Sequence, residues 1–248
     1  MSGIFNKHGE HPFTGSGDVC KHWIDSIDYA PDFLDESRAG KFFSWLQSRP
    51  EWQQEDGYCP KPGQQMKAQH DTLQWGPRQA YLTCVPKEFR IVSSGPIPAK
   101  LSKLHSEVCE RYQACFNSIQ VNRHWNENSG VHAHSDHMFG DIVMLSLGEP
   151  RRFIVRYLHN DKATTLNRWK AGDILFDEVL PHGSLLTIRA KHQVELTHEM
   201  PKAGHPCGVR MALIWRYITQ ADTKYLSRQS YIEGRDEFVQ AQKNGRKA

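Results

Sequence analysis

The hydrophobic positions of this chain change from a helical spacing in the first half to a strand spacing in the second. In "PDFLDESRAGKFFSWLQSRPEW", residues 31–52, apolar side chains form a partial helical stripe that ends at Pro50. "GPIPAKLSKLHSEVCERYQACF", residues 95–116, predicts a clearer helix, because Pro98 suits its first turn. Its apolar residues recur at three- and four-residue spacing, namely Leu101, Leu104, Val108 and Tyr112. Helices are therefore expected in the first half.

The second half contains short segments that are rich in β-branched residues and separated by Gly, Pro and Asn, a pattern typical of strands. These segments are SIQVNRHW, DIVMLSLG, RRFIVRYL, DILFDEV, SLLTIRA, HQVELTH and VRMALIWRYI. So many strands in about a hundred residues predict two packed antiparallel sheets or a barrel. The expected fold class is α+β, with helices first and a β-sandwich after them.

We expect a single domain over residues 26–218. Residues 1–25 are polar and contain glycine, which predicts a flexible N-terminal arm. Residues 219–248 are polar and end in the basic KNGRKA, which predicts a C-terminal helix or tail. Residues 51–80 are turn-rich, and a loop of this length in a compact domain is usually functional or disordered.

The composition narrows the classes of protein that fit. The chain has 248 residues, of which 38% are hydrophobic and 24% charged, as in ordinary globular proteins. Its net charge of +3 is compatible with a polyanionic partner but does not require one. No apolar stretch approaches the roughly 20 residues of a membrane span, and MSGIFNKHGEHPF lacks the features of a secretory signal. The six cysteines form no CxxC pair, which favours reduced thiols in an intracellular protein.

Histidine and aspartate are concentrated in "GVHAHSDHMFGD", residues 130–141. Residues i and i+2 of a strand project from the same face, so His134 and Asp136 can hold one metal ion together. His198, at the end of a later strand pattern, is a candidate third ligand. Two histidines and one carboxylate make the facial triad of non-haem Fe(II) oxygenases. The pair His132 and His134 has the same spacing, and local sequence leaves both pairs open.

Two arginines share one predicted strand, VRMALIWRYI. Arg210 and Arg216 are an even number of residues apart, so their side chains point to the same face. If that face lies between the sheets, two buried guanidinium groups require an anionic partner, and a dicarboxylate would serve. If that face lies in solvent, Met211, Leu213 and Trp215 form the core instead. The alternation allows both arrangements.

Five motifs in combination resemble those of the AlkB-type Fe(II)/2-oxoglutarate dioxygenases. In chain order they are NRHWNENSGVHAHSDHM, MLSLGEPRRFIVRY, HGSLLTI, THEMP and VRMALIWR, and the similarity spans residues 75–218. The resemblance implies a double-stranded β-helix (jelly-roll) core of antiparallel strands with N-terminal helices packed on one sheet. It also implies Fe(II) as the metal, 2-oxoglutarate as co-substrate and dioxygen as oxidant.

The same resemblance implies roles for single residues. The metal ligands would be His134, Asp136 and His198, which makes His132 a non-ligand. The 2-oxoglutarate contacts would be Asn122, His124, Arg210 and Arg216. The family usually has Tyr where His124 stands, although an imidazole can still donate a hydrogen bond.

Residues 51–95 correspond to the family's nucleotide-recognition lid, through the resemblance of "DTLQWGPRQAYLTC". Trp75, Arg78 and Tyr81 would then stack on a base or hold phosphate, a type of contact worth roughly 1–3 kcal/mol per stacked base. The alternative is that Trp75 and Tyr81 are core aromatics under a loop. Lys61, Lys67 and His70 are further candidates for phosphate contacts, or solvated loop residues.

His137 and Met138 follow the metal aspartate, where repair members of the family usually carry an acidic residue. A cationic alkylated base favours a carboxylate neighbour over a thioether. We therefore expect a neutral methylated base in DNA or RNA as the substrate. The product would be a demethylated or hydroxylated base.

The expected protein is a monomer of the cytoplasm or nucleus that binds nucleic acid and no membrane. One alternative is a hydroxylase of a protein side chain or a small metabolite, which would share every core residue. Another is a non-catalytic nucleic-acid-binding module on the same fold. The complete triad and both arginines argue against the last of these.

Overall fold

The computed structural model describes residues 26–54, 56–57, 66–81, 89–136, 140–157, 174–189 and 196–218. The predicted N-terminal arm and C-terminal tail lie outside these ranges.

Two α-helices occur in the described part of the chain. Helix α1 spans Glu36–Gln47, and its N-cap Asp35 accepts a hydrogen bond from the Arg38 amide at 2.8 Å. Helix α2 spans Ala99–Tyr112 and begins directly after Pro98. It buries the four apolar residues that predicted it, namely Leu101, Leu104, Val108 and Tyr112. Neither helix has the length and apolar character needed to cross a bilayer.

The strands form two large antiparallel sheets. In chain order they are β1 (Ile27–Ala30), β2 (Asp56–Gly57), β3 (Met66–Lys67), β4 (Asp71–Trp75), β5 (Pro77–Tyr81), β6 (Phe89–Ser93), β7 (Ser118–His124), β8 (Val131–His134), β9 (Ile142–Gly148), β10 (Arg151–Tyr157), β11 (Ile174–Leu180), β12 (Leu185–Ile188), β13 (Leu196–Met200) and β14 (Arg210–Arg216). The larger sheet has the order β1-β12-β9-β14-β7-β4, and the smaller has the order β11-β10-β13-β8. Two short hairpins, β2-β3 and β5-β6, complete the described strands.

The six-stranded sheet is buried on both faces. One face packs on the helices, where Leu46 and Leu101 join Leu213 and Trp215 in one apolar cluster. The opposite face meets the smaller sheet in a second cluster that includes Ala212, Ile214, Phe153 and Phe176. The α+β jelly-roll with helices on one sheet is thereby confirmed.

Strand β4 differs from the sequence prediction, which placed a loop at residues 51–80. Asp71–Trp75 is an edge strand of the six-stranded sheet, paired with β7. Leu73 and Trp75 alternate with Thr72 and Gln74, and both apolar side chains are buried. Such alternation is typical of a strand, but the stretch is short and the residues around it are polar and turn-rich, so the sequence prediction assigned all of it to a loop.

Candidate metal and anion site

Three of the predicted ligands meet at the end of the smaller sheet. His134 is the last residue of β8 and pairs directly with His198 of β13. Asp136 follows two residues later, and one ligand atom from each residue lies within 4.8 Å of the others. The Asp136 carboxylate oxygens lie 3.9 Å from His134 Nε2 and 3.7 Å from His198 Nε2. This donor set fits a divalent metal that accepts two imidazoles and one carboxylate.

The orientation of His134 leaves one ring nitrogen for a metal. Its Nδ1 lies 2.8 Å from the main-chain oxygen of His132, so Nδ1 must carry the proton that is donated there. The lone pair is then on Nε2, which faces Asp136. A carbonyl acceptor behind a ligating imidazole is a common arrangement in metal sites. The His132 side chain is exposed and contributes nothing to this contact.

His198 and Asp136 are held in the protonation states that a metal requires. Burial, and then His134, lower the pKa of His198 to about 3, so its imidazole is neutral. Burial alone would raise the pKa of the Asp136 carboxyl. The guanidinium of Arg216 and the two imidazoles outweigh burial and hold that pKa below its usual range. Neutral imidazoles and an ionised carboxylate are the ligating forms.

Arg216 connects this end of the site to the larger sheet. Its Nη2 lies 3.2 Å from Asp136 Oδ2, and its Nη1 donates to Gln120 Oε1 at 2.5 Å. Gln120 in turn donates from Nε2 to Asn122 Oδ1 at 2.9 Å. Asn122, predicted at the co-substrate site, is thus linked to the carboxylate of the triad through two side chains.

Arg210 is a buried cation with no acidic partner among the described residues. It is 2% exposed, and its Nη2 donates to Ser146 Oγ at 3.0 Å. Its Nε has no hydrogen-bond partner. Burial, and then Arg151, lower its pKa to about 9, so the guanidinium stays charged at neutral pH. Since an unpaired buried charge is costly, this arrangement favours an anionic ligand between the sheets.

His124 lies beside Arg210, its partner in the register of β7 and β14. The imidazole is 1% exposed, and its Nδ1 has no hydrogen-bond partner. Burial, and then Arg210, lower its pKa well below the usual value, so the ring is neutral. A neutral imidazole can donate one hydrogen bond, and a partnerless buried nitrogen suits a bound oxygen acceptor.

No protein-family model and no curated protein matches this chain. Solved structures do. One, of OsALKBH1, aligns with a TM-score of 0.50 at 15% sequence identity, covering 77% of this chain and 97% of that one. The fold is that of an AlkB-type oxygenase. A second alignment, with an oxidoreductase of the 2OG-Fe(II) oxygenase family from Burkholderia pseudomallei, has a TM-score of 0.48 at 10% identity and covers 91% and 100% of the two chains.

Both arginines of β14 lie between the sheets, on the same face as Ala212 and Ile214. Arg210 and Arg216 alternate with Met211, Leu213 and Trp215, which are 0% exposed on the helix side. Of the two arrangements that the sequence allowed, the one with inward-facing arginines is therefore observed. The apolar residues are buried as well, because α1 and α2 cover the other face of the sheet.

Trp75 does not lie at this site. It is 9% exposed and belongs to the apolar cluster under the helices. Its ring stacks on Trp45 at a centroid distance of 6.0 Å. The structure corrects the prediction that Trp75 stacks on a substrate base, because strand β4 turns its side chain toward the helix layer. The core alternative weighed for this tryptophan is observed.

The other predicted substrate contacts cannot be placed. Arg78 and Tyr81 belong to strand β5, whose side chains lie outside the described part. His137 and Met138 also lie outside the described residues. These four contacts remain predictions.

The site also contains residues whose place the sequence did not predict. His70 is not a solvated loop residue; its ring lies 5.2 Å from that of His124, centroid to centroid. Gln120 and Ser146 contact Arg216 and Arg210 respectively. The available signal for Ser146 was a polar side chain in the otherwise apolar strand "IVMLSLG". For Gln120 it was the alternation of polar residues with the buried Ile119 and Val121 in "SIQVNRH".

Acidification from pH 7 to pH 5 is expected to destabilise the metal-free protein through His70. Burial lowers the pKa of His70 to about 4, which leaves the ring neutral in the fold. The unfolded chain takes up the proton near pH 6.5, so unfolding becomes more favourable as pH falls below that value, until the folded pKa is reached. The expected contribution at pH 5 is about 2 kcal/mol in the free energy of unfolding. Urea denaturation at both pH values measures it.

His70→Asn is the control for that measurement. This variant has no titratable side chain at position 70, while the other histidines are unchanged, so its loss between pH 7 and pH 5 should be smaller than that of the wild type by about 2 kcal/mol. An unchanged loss would show that His70 takes up its proton in the folded protein.

Proposed function

We propose that this protein is an Fe(II)- and 2-oxoglutarate-dependent dioxygenase that demethylates or hydroxylates a modified base in DNA or RNA. The observation that carries the proposal is the coincidence of two incomplete sites between the same sheets. One is the His134, Asp136 and His198 donor set; the other is the buried Arg210 cation, which lacks an anionic partner among the described residues. A metal ion completes the first site, and a carboxylate completes the second.

The donor set is suited to Fe(II). Three protein ligands on one side of the ion leave coordination positions open for a chelating keto acid and for dioxygen. Bound there, Fe(II) with 2-oxoglutarate and dioxygen supplies oxidative decarboxylation to succinate coupled to hydroxylation of a C–H bond. Hydroxylation of an N-methyl group would lead to loss of formaldehyde and a demethylated base.

The protein's own groups bind and orient the co-substrate. Arg210 would pair with the carboxylate remote from the metal, in the two-pronged geometry that a guanidinium favours. His124, beside it, would donate a hydrogen bond from its neutral ring. Arg216 donates from Nη2 to Asp136 Oδ2 at 3.2 Å and so orients the carboxylate. Burial between the sheets keeps water from competing for these contacts.

The choice of a neutral methylated base rests on the sequence. The lid motif "DTLQWGPRQAYLTC" and the mildly basic net charge support a nucleic acid. Met138 and His137 stand where a carboxylate would favour a cationic base. A base methylated on an exocyclic amine or on carbon fits this environment better than 1-methyladenine.

The test is a substrate screen with protein reconstituted anaerobically with Fe(II). Modified oligonucleotides, nucleosides and peptides are offered with 2-oxoglutarate and then air, and mass spectrometry detects the gain of one oxygen or the loss of one methylene. We expect product from oligonucleotides with neutral methylated bases, in a salt-sensitive reaction. Equal or better turnover of 1-methyladenine would contradict the choice of base. Product from peptides or metabolites alone would contradict the nucleic-acid assignment.

A further inference from the structure

We infer that Gln120 is a positioning residue that turns the amide of Asn122 so that its NH2 group faces the co-substrate. The inference rests on the proposed function, because it concerns how the 2-oxoglutarate site is preorganised. It is carried by a chain of hydrogen bonds that runs from Asp136 through Arg216 and Gln120 to Asn122.

The direction of this chain follows from the chemistry of arginine. A guanidinium has only donors, so the atom of Gln120 that faces Arg216 Nη1 must be the carbonyl oxygen. The NH2 group of Gln120 is then the end that faces Asn122, 2.9 Å away, and the atom it meets must be the Asn122 oxygen. A flipped amide at either residue would set donor against donor or acceptor against acceptor. The Asn122 NH2 group is therefore the end left for a ligand, and it has no hydrogen-bond partner among the described residues.

The orientation of the Asn122 amide needs to be fixed because an asparagine amide is nearly symmetric in shape. The torsion that exchanges its oxygen and nitrogen is broad and two-fold, so an unconstrained Asn122 can present either end. The carboxylate and keto oxygens of 2-oxoglutarate are acceptors only. An Asn122 oxygen turned toward them would repel the co-substrate, whereas the NH2 group donates to it.

The series of hydrogen bonds is fixed at its Asp136 end, which keeps the Gln120 and Asn122 amides in one orientation. Arg216 is held by Asp136, and its side chain is 13% exposed. Gln120 and Asn122 are two residues apart on β7, so both side chains point from the same face. Ile214 and Ala212 lie opposite them in the register with β14. A part-buried amide is favoured when both of its ends are hydrogen-bonded, and both ends of Gln120 are.

The test is a double-mutant cycle on 2-oxoglutarate binding. Gln120→Leu, Asn122→Ala and the double variant are loaded anaerobically with Fe(II), and 2-oxoglutarate is titrated calorimetrically. Gln120→Leu is expected to weaken binding about fivefold and Asn122→Ala about tenfold, the effects of losing a hydrogen bond to a charged ligand in part or in full. The double variant should bind as Asn122→Ala does, because Gln120 acts only through Asn122. Equal weakening by Gln120→Leu in both backgrounds would overturn the inference.

Gln74→Leu is the matched control. Gln74 pairs with Gln120 in the register of β4 and β7, but its side chain donates to Ser118 Oγ instead of joining the Arg216 chain. Its loss should leave 2-oxoglutarate affinity unchanged. Should Gln120→Leu fail to fold, Gln120→Glu keeps the acceptor for Arg216 and removes the donor to Asn122. It is expected to weaken binding at least as much, and unchanged affinity would overturn the inference.

The controls separate this inference from the proposed function. Wild-type protein that binds no 2-oxoglutarate would contradict the proposed function itself. Wild-type binding together with unchanged affinity in Gln120→Leu would contradict only the role of Gln120.

Discussion

His134→Ala is expected to abolish turnover and to weaken Fe(II) binding by more than about 100-fold, whereas His132→Ala should leave both unchanged. Removing a side chain that only hydrogen-bonds to a metal ligand lowers metal affinity or activity by about 10–100-fold in many metal sites. His134 is itself a proposed ligand, so its loss should cost more. His132 lies on the same strand, but its side chain is exposed and only its main-chain oxygen contacts His134. Both variants therefore preserve the backbone, and only one removes a donor atom.

Anaerobic equilibrium dialysis of Fe(II) and an assay of succinate measure the two effects. Activity that survives in His134→Ala would refute the metal assignment. Loss of iron in His132→Ala would reopen the alternative pair that the sequence left possible.

Arg210→Met is expected to have opposite effects on stability and on ligand binding. The guanidinium is buried without an acidic partner, so replacing it by an apolar side chain of similar length should raise the free energy of unfolding of the ligand-free protein by about 1–4 kcal/mol. The same change should weaken 2-oxoglutarate binding by about 100-fold or more, since it leaves a buried carboxylate unpaired. If Arg210 only stabilised the fold, its replacement would lower the free energy of unfolding and would not weaken 2-oxoglutarate binding specifically.

Urea denaturation with and without 2-oxoglutarate tests both effects, and Arg152→Met is the control. Arg152 is exposed and pairs with Asp177 on the outer surface of the smaller sheet. Its replacement should change stability by less than about 1 kcal/mol and leave ligand binding intact. A ligand-free Arg210→Met protein that is less stable than wild type would contradict the interpretation of Arg210 as an uncompensated cation.

The spacing of apolar residues predicted those elements that have one apolar face and one polar face. The stripe of Leu101, Leu104 and Val108 specifies one helix face, and α2 buries that face. Strand β14 shows the limit of this reasoning. Both of its faces are buried, one under helices and one under a sheet. The alternation of residues along the strand therefore could not show whether the face with Arg210 and Arg216 lies between the sheets or in solvent. The helix layer that settles the question comes from a distant part of the chain.

The candidate site was partly predictable for a related reason. His134 and Asp136 are two residues apart, and strand geometry alone brings them together. His198 reaches them only through the pairing of β13 with β8, which no local pattern encodes. The family resemblance implied His198 as the third ligand but did not predict this strand pairing. Gln120 and His70 were not predicted in their places, because their roles depend on which side chains the sheet register sets beside them.

The most direct test of the proposed function is oxygen-dependent conversion of 2-oxoglutarate to succinate by the Fe(II)-loaded protein, measured beside His134→Ala and Arg210→Met. We expect succinate only when Fe(II) and dioxygen are both supplied, and none above background in either variant. Absence of succinate with every substrate of the screen, in protein shown to contain iron, would contradict it and favour a non-catalytic binding module.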